Sequence, residues 1–308
     1  MQSLILKSDS AEVPSLESKS SNQRLSSAIR SFFSLVFRNK EGAIGFGIVA
    51  IYLGAAIIVL IASLLNITVT PYDPLLQNVG PSLGGPSLAH LFGTDFLGRD
   101  VFSRVVWSLP NDFFVSFAVV AVALVAGAII GSVAAFRGGL LDELLMRFTD
   151  VIFSLPALVI AMVIAVALGP GLIHMMFALM VIWWPPYARV ARGEALIVSH
   201  QNYIEAARFA GQRTLGIIFK HVLPNISLTL LIYATLDVAT VVLTYAGLSY
   251  LGLSVRPPQP DLGEMISTSQ DYLITAPWLP IIPGLVIAVA VVGFSLLGDG
   301  LRDALEMG

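Results

Sequence analysis

The sequence predicts an all-α integral membrane protein with six spans, and three observations carry that prediction. Of its 308 residues, 56% are hydrophobic and only 12% charged, with a mean hydropathy of +0.84. Roughly a quarter of an average soluble chain is charged, so lipid must be the solvent for most of this one. Apolar runs recur at the ~20-residue length a helix needs to cross ~30 Å of hydrocarbon at 1.5 Å per residue. Finally, Lys and Arg are unevenly placed. With the N-terminus inside, fourteen of the seventeen fall in the tail, 137–147, 189–221 and the C-terminal segment, leaving only Arg99, Arg104 and Arg256 outside. That bias puts both termini in the cytoplasm.

In chain order, residues 1–42 are a polar cytoplasmic tail, whose first 28 are rich in Ser, Lys and Glu and read as disordered or loosely held. The first span is 43–65, too long and too late to resemble a cleaved signal peptide. Residues 66–110 form an extracytoplasmic segment, and 111–308 a core with the other five spans. The second span is 111–136, and its Gly127-x-x-x-Gly131 is a close-packing motif for membrane helices. The third, 148–168, and fourth, 172–191, are separated only by the hairpin Gly169-Pro170-Gly171. Pro156 and Trp183-Trp184-Pro185-Pro186 should bend them, because proline frees a carbonyl of the preceding turn. The fifth span, 222–252, is long enough to continue beyond the membrane. The sixth is 279–299, and Gly298-Asp299-Gly300 should end it, with Asp299 capping a short terminal helix.

Between the fourth and fifth spans lies a polar interruption, 199–222. Asn202 is placed to cap a helix, with Glu205 three residues on at the reciprocal position of a capping box. Ala206, Ala207 and Ala210 give that helix a small-residue face, and Glu205 and Arg208 put charge at its rim. Gly211 suits a left-handed position that ends it. A second helix over 213–222 follows, and Pro224 opens the fifth span. Small residues let another backbone approach closely, so the segment is a docking element or a helix lying on the bilayer surface.

Glu205-Ala206-Ala207, three residues, Gly211, nine residues and His221-Val222-Leu223-Pro224 resemble the EAA signature of ABC-importer permeases. His221 holds a usually aliphatic position, as is frequent in the dipeptide, oligopeptide and nickel branch. His90–Arg104, Phe148–Ala161, Leu248–Ile266 and Leu296–Leu305 resemble further blocks of that branch, so the likeness covers about 40–305. It implies the type I importer permease (MetI-like) fold and a C-type second-permease subunit in a prokaryotic cell membrane. It also implies a homologous permease partner, two ATP-binding subunits that hold the ATP and Mg, and an extracytoplasmic solute-binding protein. Glu205, Ala206, Ala207, Arg208, Gly211, His221 and Pro224 would then form the ATPase-coupling site. Di- or oligopeptides are the implied cargo, with oligosaccharides and nickel chelates as alternatives. The chain departs from the branch at Tyr245, where an acidic residue is usual, and at Asn111-Asp112-Phe113-Phe114, where Arg-x-Ser-Leu is usual.

Asp237, in the middle of the fifth span, is a pore candidate because an intramembrane carboxylate is costly unless paired or hydrated. Thr244 and Tyr245 lie further along the same span and complete the pore candidates. A rival reading makes Asp237 the centre of a proton-coupled carrier, which predicts an internal repeat that the sequence lacks. A non-transporting scaffold would leave 199–222 unexplained. Thr94-Asp95 and Gly98-Arg99-Asp100 suit a hydrogen-bonded turn that orients the second span, or a docking site for an external protein, and Arg256-Pro257-Pro258-Gln259-Pro260 is a stiff outer loop with the same two readings. No phosphate-binding loop, H-E-x-x-H motif or nucleophile elbow is present, and the four histidines are scattered, so no catalytic or metal constellation is read. With no cysteine and a net charge of −3, disulfide chemistry is excluded and nucleic acid is not suggested as a partner.

Overall fold

A computed structural model describes residues 36–306, and the expected loose tail at 1–28 lies outside them. Every named element among the described residues is helical, and the one extended feature is an isolated bridge between Thr94 and Asp100. Four helices are long and apolar enough to cross a membrane, and a bent pair, where its two pieces are taken as one span, brings the number to five.

The first, α1 (Lys40–Leu65), is capped by Asn39, whose side chain accepts the Gly42 N–H at 2.7 Å. The second, α2 (Val101–Arg137), starts ten residues before the expected 111 and runs straight through Pro110. The reason is Asp100, whose Oδ2 accepts the Ser103 N–H at 2.8 Å and its hydroxyl at 2.7 Å, fixing the helix start nearly three turns earlier. Pro110 costs one internal bond without ending the helix.

The expected third span is instead two helices, α3 (Gly139–Phe153) and α4 (Ala157–Leu168), bent by 83°. Pro156 at the joint cannot donate the bond that would continue the helix, so the chain turns there. The fourth expected span is also a pair, α5 (Leu172–Trp183) and α6 (Pro185–Ser199). Here Trp184 keeps a right-handed helical conformation (φ −75, ψ −24), so the path carries on into α6. At 12 residues, α5 covers only about 18 Å, and a six-span count is compatible with α5 being completed by the first turns of α6.

The polar interruption forms α7 (Asn202–Phe209), α8 (Thr214–Ile217) and a π-turn (Ile218–Val222) that leads directly into α9 (Leu223–Tyr250). The second short helix expected at 213–222 is therefore the base of the fifth span. Beyond α9 come α10 (Leu262–Ser269) and α11 (Trp278–Glu306). Gly298-Asp299-Gly300 does not end the last helix, and Asp299 caps nothing. These glycines serve packing: a β-carbon at Gly298 would overlap Leu236 of α9, and one at Gly300 would overlap the backbone of Gly42 in α1.

Helices pack through such small-residue contacts because lipid offers no hydrophobic drive between them. Gly127 and Gly131 fit against Tyr187, Ala188 and Ala191, which identifies α6 as the partner of that motif. Next, α1 lies on α11, and α9 packs against both α2 and α11. The helices bring residues 66–100 and α10 to one end of the bundle, the loop end, and α7 and α8 to the other, the short-helix end.

Candidate functional site

At the short-helix end, α7 is held by one face and exposed on the other. Ile204 is fully buried in a cluster with Ile217, Val222, Ile226 and the alanines of α6. Ala207 is half-buried, while Glu205, Ala206, Arg208 and Ala210 are exposed. Phe209 is 92% exposed, a large apolar side chain with nothing over it among the described residues. Asn202 is not the cap; Gln201 occupies that position without a side-chain bond, so the capping box with Glu205 does not form.

The far end of α7 matches the sequence closely. Gly211 takes φ +76, its N–H bonds the Arg208 carbonyl at 3.0 Å, and the Gln212 N–H bonds the Ala207 carbonyl at 3.1 Å. Those two bonds are the Schellman pattern, which needs the left-handed residue that glycine supplies without strain.

Polar side chains then tie α7 to the base of α9. Asn225 Nδ2 donates to the Tyr203 hydroxyl at 3.1 Å and to the His221 carbonyl at 2.6 Å. His221 Nε2 lies 3.2 Å from Gln212 Oε1. His221 thus links the turn after Gly211 to the π-turn below the fifth span. That π-turn has a local cause in Pro224, which lacks an N–H and whose ring crowds the carbonyl four residues back. The Leu223 N–H therefore reaches Ile218 O, one residue further than in an α-helix. On the other side, the Arg208 guanidinium sits 4.9 Å from the Phe136 ring centroid, a cation–π contact to the end of α2. Tyr203, Gln212 and Asn225 carry this brace and were not singled out by sequence reasoning; the signal was polar-tipped side chains flanking the motif.

At mid-bundle, Asp237 Oδ2 accepts the Trp183 indole N–H at 2.7 Å and the Tyr187 hydroxyl at 2.9 Å. Trp183 ends α5 and Tyr187 lies in the first turn of α6, so this carboxylate ties α9 to the broken fourth element. It is also one wall of a cavity of about 400 Å³ with Ile152, Pro156, Pro186 and Thr240. Asp237 is thus paired with neighbouring helices and still faces open space beside both helix breaks.

The other two pore candidates do not join it. Thr244 is half-buried and its hydroxyl bonds the Thr240 carbonyl of its own helix at 2.8 Å. Tyr245 is fully buried. Its hydroxyl donates to Asp261 Oδ2 at 2.6 Å and lies 2.8 Å from Ser254 Oγ. Asp261 also accepts the Ser249 hydroxyl and the backbone N–H groups of Gly263 and Glu264, capping α10. The Tyr245 position is thus a brace for the loop end.

Residues 123–308 match the family described as the binding-protein-dependent transport system inner membrane component. The chain is 36% identical over 276 residues to the di/tripeptide transport system permease protein of Pseudomonas aeruginosa, covering 88% of this chain and 89% of that one. It is 35% identical to the dipeptide transport system permease protein of Alkalihalophilus pseudofirmus over 90% of this chain and 89% of the relative. It is also 35% identical to the glutathione transport system permease protein of Pectobacterium atrosepticum, over 72% and 74% of the two chains. A helical membrane bundle whose breaks sit at its prolines and whose short-helix end carries Glu205-Ala206-Ala207 and Gly211 on an exposed element agrees with those matches, and the chain belongs to the family of binding-protein-dependent transport system inner membrane components.

Proposed function

We propose that this chain is one of two permease subunits of an ATP-driven importer for di- or oligopeptides. The observation that carries the reading is α7, a helix seated on a buried Ile204 and tied to the fifth span, with Phe209 and the Glu205–Ala206 face left open. A rigid helix with one open face is built to fit a groove on another protein. In this reading the groove belongs to an ATP-binding subunit, and the short-helix end faces the cytoplasm together with both termini. Two such subunits bind ATP and Mg and hydrolyse the nucleotide; this chain carries no part of that chemistry. When they close, α7 moves, and the Tyr203–Asn225 and His221–Gln212 bonds carry the motion into α9. A second, homologous permease chain completes the pore, and a soluble binding protein delivers cargo at the loop end. The relatives named for dipeptide, di/tripeptide and glutathione transport support a short peptide as cargo. Asp237 and Thr240, lining the cavity beside the two helix breaks, are the groups offered to the pathway.

The test is affinity purification of the chain from its native membrane with mass identification of what accompanies it, paired with Gly211→Val. Holding a β-branched residue at φ +76 costs about 1–2 kcal/mol, enough to displace the end of α7 without unfolding the bundle. The expected result is a second permease and ATP-binding chains with the parent protein, and loss of ATP-driven transport in the folded variant. Transport by the chain alone, or normal coupling in Gly211→Val, would overturn the reading.

A further inference from the structure

Two cavities between α1 and α2 have no part in the coupling or pathway described above, and they adjoin through shared lining residues. Near the loop end, a cavity of about 400 Å³ is lined by Ser63, Thr68, Asp73, Trp107 and Gln259. Directly below it, a groove of about 650 Å³ is lined by Leu53, Ile57, Phe113, Phe114, Phe117 and Ala118. Both share Leu60, Pro110 and Asn111. Each lies within the roughly 300–1,000 Å³ of small-molecule sites.

The order of these linings along the helices sets a polarity. In α1, Leu53, Ile57 and Leu60 form one stripe at i, i+4 and i+7, and Ser63 lies a turn further toward the helix end at Leu65. The apolar part therefore lies at hydrocarbon depth and the polar part at the boundary. Trp107 marks that boundary, with its indole N–H donating to Thr70 Oγ1 at 2.9 Å. Proline within α2 contributes to both parts; Pro110 cannot donate to the carbonyl of Val106, and a helix tends to open at such a point.

Charge narrows the occupant. Among the described residues lining the pair, Asp73 is the one charged group, and neither cavity is lined by Lys or Arg. Its Oδ1 accepts the Leu75 N–H at 2.8 Å, which orients the carboxylate. Asn111 and Gln259 add amide carbonyls and amide N–H groups. An anionic headgroup would meet a carboxylate and no cation. A headgroup with a primary ammonium meets an acceptor of opposite charge, and the amide donors can take its phosphate.

We propose that this paired cavity is a specific phospholipid site, holding acyl chain in the phenylalanine-lined groove and a phosphatidylethanolamine headgroup at Asp73. The proposal depends on the membrane embedding of α1 and α2 and is independent of the cargo.

The experiment is quantitative lipid extraction from the full chain, purified within whatever complex it forms, after exchange into nanodiscs of equal phosphatidylethanolamine and phosphatidylglycerol. The parent should retain phosphatidylethanolamine in fixed ratio to protein through detergent washing. Ala118→Phe fills the groove and should lower that retention about tenfold. Asp73→Lys, on an exposed loop, should keep a bound lipid while shifting the headgroup ratio about tenfold toward phosphatidylglycerol. If Ala118→Phe does not accumulate, the Asp73→Lys ratio alone decides. Retention with no headgroup preference, an unchanged ratio in Asp73→Lys, or a photocrosslinker at Phe114 that captures a protein chain in place of lipid would each overturn the proposal.

Discussion

The two ends of the bundle treat charge in opposite ways. At the loop end, the polar groups turn inward. Asp95, Arg99, Asp100, Arg104, Asp261 and Glu264 are all buried. Asp95 Oδ2 pairs with Arg99 Nε at 2.6 Å, Asp100 Oδ1 with His90 Nδ1 at 2.9 Å, and Arg104 reaches Glu264 at 3.4 Å. Arg104 also donates to the carbonyls of Pro74 and Pro258, joining the loop before α2 to the loop before α10. At the short-helix end the arrangement is reversed, with Glu205, Arg208 and Phe209 directed outward. A buried network closes a surface, because each member has its partner inside the chain. An exposed Phe beside exposed charges leaves a surface open to a partner. The contrast separates positions where substitution should break the chain from positions where it should break only what the chain does.

The largest effect expected from this contrast is at Arg104. It is 2% exposed, and removing it leaves Glu264 and Asp95 without their shared cation. Breaking a buried pair by removing one partner costs about 3–5 kcal/mol, so Arg104→Ala should lower thermal stability in detergent sharply. The deficit should also depend on pH. Burial already pushes the Glu264 carboxyl above its ordinary value, against the pull of Arg104 and Arg99. Without Arg104 the shift grows. A carboxyl whose folded value is raised costs nothing where both states are protonated, and costs more as pH rises through that folded value. The variant's deficit against the parent should therefore shrink in acid and widen toward neutral pH. A pH-independent deficit would mean that Arg104 acts by packing alone.

Phe209 comes next, and it sharpens the contrast because the effect should appear in a different measurement. Exposed at 92%, it contributes little to folding, so Phe209→Ser should leave thermal stability within about 0.5 kcal/mol of the parent. Binding of the partner at α7 should weaken by about 2 kcal/mol or more, the scale of an aromatic anchor lost from an interface. Co-purification yield and ATP-driven uptake read that loss. Unchanged partner recovery would remove Phe209 from the docking face and return α7 to a helix resting on the bilayer surface.

What was legible in the sequence follows the same division. At the open end the Asn202 cap and a separate helix over 213–222 did not form, yet Gly211 reports its own left-handed geometry and Glu205-Ala206 their own exposure. Local chemistry sets both. The start of α2 was missed because the expected span followed the apolar run, whereas the helix begins at the Asp100 cap on Ser103, in a segment read as a turn. Gly298-Asp299-Gly300 was misread because a glycine needed for contact with another helix resembles one that ends its own. Tyr245 carried a pore role by its place in the span, and its partners Ser254 and Asp261 lie beyond the helix end. Asp112, noticed only as a departure from the family pattern, is buried with Oδ2 unpartnered among the described residues. The misses at Gly298-Asp299-Gly300 and Tyr245 are contacts between elements, which periodicity does not encode.

The smallest expected effect tests whether the open end is stiff as well as exposed. Tyr203 stands in the first turn of α7, and its hydroxyl accepts from Asn225 Nδ2 at the base of α9. Tyr203→Phe keeps the ring and removes that one acceptor. Asn225 retains its bond to the His221 carbonyl at 2.6 Å, so no buried donor is stranded. The loss in stability should be about 0.5–1.5 kcal/mol, the net worth of one hydrogen bond. If α7 transmits force through this brace, the variant should still bind its ATP-binding partner with parental affinity. Its ATP hydrolysis should continue while uptake per ATP falls, because the helix yields where it formerly pulled. Binding and coupling lost together would place Tyr203 in the docking face itself. Coupling unchanged would leave the His221–Gln212 contact and the Arg208–Phe136 stack to carry the motion, and the double variant with Gln212→Leu would then be the one to separate docking from transmission.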